Sequence, residues 1–212
     1  MAEDSTGQAR LTATTRARYN RLAPMYDAMQ AFTERAAFGA WRQELWTAVP
    51  AGRVLEVGVG TGKNLPFYPP DAQMTAIDLS DRMLARARRR AAALEVQVDL
   101  RLMDAQNLEF PAGTFDAAVA TFVFCSVPDP VAGLRELGRV IRPGGDIWLL
   151  EHMRVDRPFV GPLMDLLNPL GVRVMGANIN RRTVENVRRA GLKLITVKEL
   201  RGELVRLIHA RP

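Results

Sequence analysis

The stretch VLEVGVGTGKNLPFYP, residues 54–69, is the most informative part of the sequence. An apolar run leads up to Gly58, and further glycines follow at positions 60 and 62. A strand that ends in a glycine-rich turn exposes backbone N–H groups and lets a ligand approach the main chain closely. The stretch therefore predicts a first strand followed by a nucleotide-binding turn.

The spacing of the glycines narrows the kind of nucleotide. A dinucleotide site has the pattern G-x-G-x-x-G, in which the third glycine allows tight helix packing. Here Lys63 stands at that third position, and no G-x-x-x-x-G-K-[ST] phosphate loop occurs. The turn therefore favours an adenosine ligand without a pyrophosphate.

Strand-like and helix-like segments alternate along the chain, which is typical of a parallel, doubly wound sheet. The strand-like segments are residues 53–58, 74–80, 99–104, 115–124, 146–152, 193–200 and 203–211, and the helix-like segments are residues 80–95, 129–145 and 183–191. Only two residues separate the last two strands, so they predict a hairpin. We predict one α/β domain over residues 1–212, with a Rossmann-like seven-stranded sheet that is mostly parallel. The hairpin contributes an antiparallel strand, and helices cover both faces.

Two segments flank this pattern. Residues 1–50 are helix-prone, with a break expected at Pro24, and should lie at the carboxyl edge of the sheet. Residues 153–182 form a long insertion after the fifth strand. Both are candidates for a lid over a binding site.

Three carboxylates stand at strand ends beside the glycine turn. Asp78 follows Gly58 by 20 residues, where an acid accepts hydrogen bonds from ribose hydroxyls. Asp104, followed by Ala105, is placed to meet the adenine amino group, and Glu56 to lie near a cationic ammonium. Each acid alone is as readily a helix cap or a turn residue. Together with the glycine turn, they favour a nucleoside ligand that carries a positive charge.

At these residues the sequence resembles the class I S-adenosylmethionine-dependent methyltransferases. The segments EVGVGTG, AIDLSDRML, MDAQNLEFPAGTFD and RVIRPGGDIWLLEH are similar to the four motifs of that family. The resemblance implies S-adenosyl-L-methionine as cofactor, with S-adenosyl-L-homocysteine as product. The cofactor-binding residues that it implies are Glu56, Gly58, Gly60, Gly62, Asn64, Asp78, Leu79, Met83, Asp104, Ala105 and Phe122.

Residues that would serve the methyl acceptor are less well defined. Methyl transfer requires alignment, exclusion of water and, for a nitrogen or oxygen nucleophile, a base. The candidate catalytic residues are Tyr19, Tyr26, Glu151 and His152. His152 is equally suited to a capping role, and the tyrosines to helix packing. Two further residues have structural interpretations. Cys125 could be a nucleophile, but a lone buried thiol is more often inert, and His209 is interpreted as a structural part of the last strand.

The flanking segments narrow the acceptor through a second resemblance. RYNRLAPMYD, FYP, LLEHMR and the C-terminal segment from residue 180 are similar to the short bacterial phospholipid N-methyltransferases, relatives of the ubiquinone and menaquinone C-methyltransferases. That resemblance implies stepwise methylation of phosphatidylethanolamine to phosphatidylcholine. The alternative is a quinone-type C- or O-methyltransferase, or a small-molecule or thiol methyltransferase, with the same cofactor.

The charge of the chain is consistent with a phospholipid substrate. The formal net charge is +6, which indicates an anionic partner or simply arginine-rich solvated surfaces such as residues 86–90. Residues 8–23 carry four arginines and no acid, so they predict a basic surface helix that contacts an anionic membrane. The apolar residues 159–176 are suited either to cradle acyl chains or to pack as a lid on their own core.

Other features limit the remaining function classes. The single cysteine excludes a thiolate metal cluster and fits a reducing cytoplasm, so no metal site is predicted. No apolar run approaches the roughly 20 residues that span a bilayer, and the N-terminus has no signal-peptide pattern. Few aromatic residues accompany the basic ones, which argues against nucleic-acid binding. We therefore expect a cytoplasmic enzyme bound peripherally to the inner face of the membrane.

Overall fold

The strands form one mixed, seven-stranded sheet in a computed structural model, which describes residues 2–212. They are β1 (Gly52–Val57), β2 (Ala72–Asp78), β3 (Asp99–Leu102), β4 (Phe115–Thr121), β5 (Ile141–His152), β6 (Lys193–Arg201) and β7 (Val205–Arg211). Their order in the sheet is β3-β2-β1-β4-β5-β7-β6. The first five strands pair in parallel, and β7 runs antiparallel to both β5 and β6. The predicted fold class and the C-terminal hairpin are confirmed.

Six α-helices are described. They are α1 (Ala2–Thr33), α2 (Gly39–Thr47), α3 (Asp81–Ala93), α4 (Pro130–Val140), α5 (Val160–Met175) and α6 (Thr183–Arg189). A π-helical turn, Glu34–Phe38, joins α1 to α2, and a short 3-10 turn, Leu65–Phe67, follows the glycine turn. No helix among residues 2–212 combines the length and the apolar character that crossing a bilayer requires.

The helices that frame the site begin at strong capping residues. The Ser80 hydroxyl accepts a hydrogen bond from the Met83 N–H at 3.1 Å, which starts α3 directly after β2. Asp129 accepts two N–H bonds at the start of α4, and Pro130 occupies the first helical position. These caps place both helix N-termini near the carboxyl ends of the parallel strands.

The core lies on both faces of the sheet because strand residues alternate. In β1, Val54 packs with the α2 side of the sheet and Leu55 with the α4 side. In β4, Val119 and Ala118 divide in the same way. Strands buried on both faces read as continuous apolar runs, which explains why the sequence signal for β1 and β4 is so clear.

Pro24 does not break the first helix, contrary to the sequence-based expectation. α1 continues from Ala2 to Thr33 with Pro24 inside it. An interior proline costs about 3 kcal/mol because it removes one N–H and crowds the preceding turn. Contacts on either side of Pro24, from Tyr19 to Ser126 and from Asp27 to Arg90, hold the helix against the sheet edge and offset that cost.

Two other boundaries differ from the prediction. β4 ends at Thr121 rather than at residue 124, because Phe122 has a positive φ of 57° that turns the chain. The Pro-Gly-Gly segment lies inside β5 instead of separating it from α4. The pairing with β4 shifts register there, and Gly144, with φ of 77°, absorbs the bulge.

Candidate active site

A cavity lies at the carboxyl ends of β1, β2 and β4, with α1 crossing over it. Its empty volume is about 700 Å³, including the opening to solvent, which is within the usual range for small-molecule sites. Many of the predicted residues line this cavity, namely Tyr19, Tyr26, Gly58, Gly60, Asp78, Leu79, Met83, Asp104, Ala105 and Phe122. Five predicted residues, Glu56, Gly62, Asn64, Glu151 and His152, are not part of its lining.

The glycine turn has the open backbone that a bound ligand needs. Gly58, Gly60 and Gly62 all have positive φ, between 57° and 83°. A Cβ on Gly58 would come within 2.5 Å of Val123, whereas a Cβ on Gly60 would meet no atom within 4 Å. Gly62 packs against Leu65 and α3 instead. Gly60 thus faces open space, while its neighbours keep the turn tight.

Asp78 is the polar centre of the cavity. One carboxylate oxygen accepts the Gly60 N–H and the other accepts the Ser80 N–H, each at 2.8 Å. Burial raises the pKa of Asp78 to about 6, against the opposing effect of these hydrogen bonds. An ionised carboxylate has about four lone-pair positions, so each oxygen keeps capacity for one hydroxyl. This arrangement fits the two hydroxyls of a ribose.

Glu56 and Asn64 belong to a buried network beneath the turn. The Asn64 amide donates to Glu56 at 2.6 Å and to Thr121 at 3.0 Å, and the Tyr68 hydroxyl also donates to Glu56. Arg42 donates to the Asn64 oxygen at 2.7 Å. Burial raises the pKa of Glu56 to about 7. The network fixes the strand end from below the cavity.

The predicted adenine end is joined to α1 by polar side chains that sequence analysis did not identify. Asp104 accepts hydrogen bonds from the Gln106 backbone and side chain and from the Thr12 hydroxyl. Gln8 donates to Gln106. The signal in the sequence is the spacing of positions 8, 12, 15, 19 and 26, which places these residues on one helix face. A search for apolar periodicity does not find it, because the face is largely polar.

Basic residues of α3 also fasten α1, which corrects the expectation that residues 86–90 are a solvated face. Arg90 forms an ion pair with Asp27 at 2.9 Å, and Arg86 donates to the Pro24 carbonyl at 2.9 Å. Arg88 and Arg89 are exposed, as expected. Two of the four arginines in residues 86–90 therefore hold α1, the helix that covers the cavity.

The tyrosines of α1 lie over the cavity. Tyr19 shares a 2.5 Å hydrogen bond with the Ser126 hydroxyl, on the loop that follows β4. Burial raises the pKa of Tyr19 well above its usual value, so its hydroxyl stays protonated near neutral pH. The Tyr26 ring meets the Tyr19 ring edge-on at 6.4 Å. Both residues line the cavity.

Phe122 forms another aromatic wall of the cavity. Its ring lies 4.6 Å from the Phe38 ring and 6.2 Å from the His152 ring. The Arg42 guanidinium lies 5.9 Å from the Phe122 ring. A positive φ on a bulky residue is rare and is concentrated at functional sites, as are π-helical turns such as the one that carries Phe38.

The structure does not bring Glu151 to the cavity. Its carboxylate is fully buried and accepts the backbone N–H groups of Val123 and Phe124 at 2.8 and 2.9 Å. The other carboxylate oxygen has no hydrogen-bond partner among the described residues. Burial raises the pKa of Glu151 to about 7. Its position is that of a residue that holds the loop after β4.

His152 lies behind Phe122 rather than in the cavity wall. Its Nε2 atom is 3.3 Å from the Asn178 carbonyl. Because a carbonyl only accepts hydrogen bonds, this contact assigns the proton to Nε2 and leaves the lone pair on Nδ1. Burial lowers the pKa of His152, which keeps the ring neutral near pH 7. The geometry is that of a base one side chain away from the cavity.

The two residues with structural interpretations occupy structural positions. Cys125 is buried, and burial raises the pKa of its thiol to about 12, which disfavours the nucleophilic thiolate. His209 contacts Asp146 at 2.8 Å and stacks on Trp148 with ring centroids 4.0 Å apart. Neither side chain is part of the lining of the cavity.

The cavity has the chemistry of an adenosine site with a non-phosphate tail. Asp78 provides acceptors for hydroxyls, and Leu79 and Met83 provide an apolar wall. Among the described residues lining it, none is a lysine or an arginine. A polyphosphate would lack a counter-charge here, whereas a cationic ligand would meet carboxylates and aromatic faces.

Comparison with known proteins agrees with this assignment. A family model described as a methyltransferase domain matches residues 54–145. The phosphatidylethanolamine N-methyltransferase of Cereibacter sphaeroides is 47% identical over 114 residues, covering 53% of this chain and 55% of that protein. This chain therefore spans about half the length of that relative.

Two longer matches extend the comparison. A ubiquinone/menaquinone biosynthesis C-methyltransferase of Methylobacterium nodulans is 31% identical over 187 residues, covering 81% of this chain and 74% of that protein. A solved S-adenosylmethionine-dependent methyltransferase from Thermotoga maritima, described as a possible histamine N-methyltransferase, shares the fold with a TM-score of 0.68. It is 24% identical, and the match covers 91% of this chain and 97% of that one. The chain therefore belongs to the class I S-adenosylmethionine-dependent methyltransferases, with S-adenosylmethionine as its methyl donor.

Proposed function

We propose that the protein is a phospholipid N-methyltransferase that converts phosphatidylethanolamine stepwise to phosphatidylcholine at a membrane surface. The observation that carries the proposal is an exposed apolar stripe on α5, in the segment after β5. The match to a phosphatidylethanolamine N-methyltransferase supports the same acceptor, over the part of the chain that it covers.

The apolar stripe on α5 runs along one helix face. Phe159 precedes the helix and is 89% exposed, and Leu163, Leu166 and Leu170 are 54%, 75% and 59% exposed. Their spacing of four, three and four residues aligns them. This exposure argues against a lid packed on its own core. Contiguous apolar surface of this kind marks an interaction site, and a bilayer is the partner that fits a lipid substrate.

Exposed basic residues on α1 favour an anionic membrane surface as the partner. Arg10, Arg16 and Arg21 are exposed. Each arginine near an anionic lipid surface contributes about 1 kcal/mol to binding. We therefore propose that the apolar stripe on α5 and the cationic charge on α1 act together when the enzyme binds the inner face of a membrane.

The residues around the Tyr19 end of the cavity suit an amine acceptor. A headgroup amine is largely protonated near neutral pH and must lose that proton before its lone pair can attack. We propose that this proton passes to the Nδ1 atom of His152, which lies behind Phe122, through one bridging water molecule. Bound S-adenosylmethionine supplies a methyl group carried on a sulfonium sulfur. The aromatic faces of Tyr19, Tyr26 and Phe122 then favour the methylated, cationic nitrogen.

Methyl transfer to nitrogen is a direct displacement at the methyl carbon. The amine lone pair forms the new nitrogen–carbon bond while the carbon–sulfur bond breaks and its electron pair returns to sulfur. The role of the protein is to align the reactants and exclude water, which α1 serves by covering the cavity. Burial lowers the pKa of His152, so it is the neutral form that is available to take the next proton.

The decisive experiment is a labelling assay with several acceptors. The purified protein is incubated with methyl-labelled S-adenosylmethionine and with vesicles containing phosphatidylethanolamine, a demethylated quinone, or an alkyl thiol. We expect label in mono-, di- and trimethylated phospholipid. Label confined to the quinone or the thiol would overturn the proposal. The quinone acceptor is the second candidate, because the quinone methyltransferase relative covers more of this chain.

Membrane docking is tested separately by sedimentation with anionic vesicles at low salt. Leu166→Glu is expected to reduce binding at least tenfold, since it places a charge in the apolar stripe. Leu94→Glu, at another exposed apolar residue outside the stripe, is the matched control and should bind as the wild type does. Equal binding by all three proteins would contradict the proposed docking surface.

A further inference from the structure

We infer that Arg18 binds the phosphodiester group of the acceptor lipid and thereby selects phosphate-bearing amines. The inference rests on the proposed function, because it assigns a subsite within the same acceptor site. The cavity lining holds no lysine or arginine among the described residues, so the counter-charge for a phosphate must come from outside that lining.

The position of Arg18 follows from a closed circuit of contacts. Its neighbour Tyr19 shares a hydrogen bond with Ser126. The backbone carbonyl of Cys125, which precedes Ser126, accepts two hydrogen bonds from Asn178. The Asn178 backbone N–H donates one at 2.9 Å, and the Asn178 side-chain amide donates the other at 3.0 Å. Gly176, two residues before Asn178, ends α5. A Cβ built on Gly176 would lie 2.6 Å from Cδ of Arg18. Arg18 therefore stands at the rim where α1, the end of α5 and the loop after β4 meet.

The same circuit connects Arg18 to the proposed base. The Asn178 carbonyl that contacts His152 belongs to the short segment that Arg18 touches at Gly176. The amine-binding end of the site and the arginine are thus separated by only a few residues along that segment. In an ethanolamine headgroup, two methylene carbons and one oxygen separate the nitrogen from phosphorus, so both groups must bind close together.

Arg18 differs from the other arginines of its helix. It is half-buried, whereas Arg10, Arg16 and Arg21 are exposed. Arg16 approaches Asp81 at 3.9 Å, but no carboxylate among the described residues forms an ion pair with Arg18. A half-buried guanidinium beside a binding site, with no ion-pair partner there, has its charge available for an anionic ligand.

The surroundings of Arg18 match the remaining parts of a phospholipid. Toward the cavity lie the aromatic rings of Tyr19 and Tyr26, which suit the amine. Toward α5 lies the C-terminal end of the helix that carries the exposed apolar stripe, which suits acyl chains. A guanidinium between an aromatic pocket and an apolar surface reproduces the order of amine, phosphate and chain in the lipid.

The test compares two single-chain acceptors that differ in the phosphate. Lysophosphatidylethanolamine carries it, and sphingosine is a primary amine lipid without it. Both are presented in phosphate-free, nonionic detergent micelles, which removes the contribution of membrane charge. The variants are Arg18→Gln, Arg18→Lys and the exposed control Arg10→Gln, and the readouts are kcat/KM for each acceptor and the Kd of S-adenosylhomocysteine.

Arg18→Gln is expected to lower kcat/KM for lysophosphatidylethanolamine by about tenfold to a hundredfold, the usual worth of a hydrogen bond to a charged group. The rate with sphingosine and the Kd of S-adenosylhomocysteine should stay near wild-type values. Arg18→Lys should recover part of the loss, and Arg10→Gln should show none. If Arg18 only supported the end of α5, Arg18→Gln would lower kcat/KM equally for both acceptors. That result, or an unchanged preference between the acceptors, would overturn the inference about Arg18 but not the proposed function. Absence of transfer by the wild-type enzyme to the phospholipid would overturn the proposed function as well.

Discussion

The glycine-turn region and the covering region of this methyltransferase are built in different ways. The turn region, β1 to β4, holds its ligand-binding groups by backbone geometry, with Asp78 receiving the N–H groups of Gly60 and Ser80. The covering region comprises α1, which crosses the cavity, with the neighbouring end of β5 and α5. It is held by side chains whose partners are distant in sequence, such as Tyr19 and Ser126. The first region is therefore specified by short sequence motifs, and the second by tertiary contacts.

The two regions also differ in burial. Most residues of β1 and β4 are buried, whereas among the side chains described between residues 6 and 29 only Ala23 is buried. α1 is therefore held mainly by hydrogen bonds and ion pairs rather than by apolar packing. Elements of this kind open at low free-energy cost. A weakly held α1 above a rigid glycine turn would allow the cofactor to enter and leave the cavity.

The largest expected effect concerns the proposed base in the second region. His152→Gln should lower kcat with an amine acceptor by about a hundredfold or more, as for loss of a general base. The affinity for S-adenosylhomocysteine should change little, because His152 does not line the cavity. Steady-state kinetics and calorimetry measure the two quantities.

The pH dependence provides a direct check on His152. Since burial lowers its pKa below the usual 6.5, the wild-type rate should rise with pH and level off below pH 6.5, as the neutral base forms. The variant should lack that limb. His209→Gln is the matched control, because His209 lies on β7, contacts Asp146 of β5 and does not line the cavity. Wild-type kcat in His152→Gln would remove the base from the mechanism.

The next largest effect belongs to the turn region. Asp78→Asn should weaken S-adenosylhomocysteine binding by about a hundredfold, because the amide NH2 faces a backbone donor and cannot accept a hydroxyl. In the wild type, affinity should increase as pH rises through about 6, where Asp78 ionises. Calorimetry at several pH values measures both effects. Asp99→Asn, at an exposed acid on β3, should bind normally, and equal affinities for both variants would refute this role of Asp78.

The difference between the regions also determines what the sequence predicts. The order of strands and helices along the chain and the hairpin follow from the glycine turn and from periodic apolar runs. The turn and the strand-end acids indicate an adenosine ligand, and the resemblance of these motifs to a known family implies S-adenosylmethionine. Asp78 and Gly60 are identifiable because their function depends on backbone position within a short segment. The chain folds there largely as its local pattern indicates.

Local sequence patterns do not predict the structure of the covering region, for a physical reason. The persistence of α1 through Pro24 depends on contacts with Arg90 and Ser126, which no local pattern reveals. The position of Glu151 under a loop, and not in the cavity, depends on the turn that Phe122 makes with positive φ. Adjacent residues on a strand point to opposite sides, so a pair at a strand end cannot both face the ligand.

A smaller effect is expected at Glu151, which holds the loop that connects the two regions. The pKa of this buried carboxyl is about 7 in the folded protein, against an ordinary value of 4.5. Between these values the folded state binds more protons than the unfolded state, so the free energy of unfolding falls as pH rises. The contribution of one group is about 1 kcal/mol per pH unit. Urea denaturation from pH 5 to 8 should show a shallower decline for Glu151→Gln.

Glu136→Gln supplies the matched control for this measurement. Arg139 lowers the pKa of Glu136 below 4.5, so its stabilising effect is already complete above that pH. The control should lose stability by a similar amount at every pH from 5 to 8 and keep the wild-type slope. A slope in Glu151→Gln that equals the wild-type slope would show that Glu151 is ionised in the folded protein.

The smallest expected effect concerns the hydrogen bond that attaches α1 to the loop after β4. Tyr19→Phe and Ser126→Ala each remove one partner of the hydrogen bond between α1 and the loop after β4. A double-mutant cycle on S-adenosylhomocysteine affinity should give a coupling energy of about 0.5–1.5 kcal/mol, the net worth of one hydrogen bond. The pair Tyr19→Phe and Thr47→Ala, whose sites share no contact, should be additive. Additive effects at Tyr19 and Ser126 would mean that α1 does not close over the cofactor through this bond, and the cover would then depend on Asp27 and Arg90 instead.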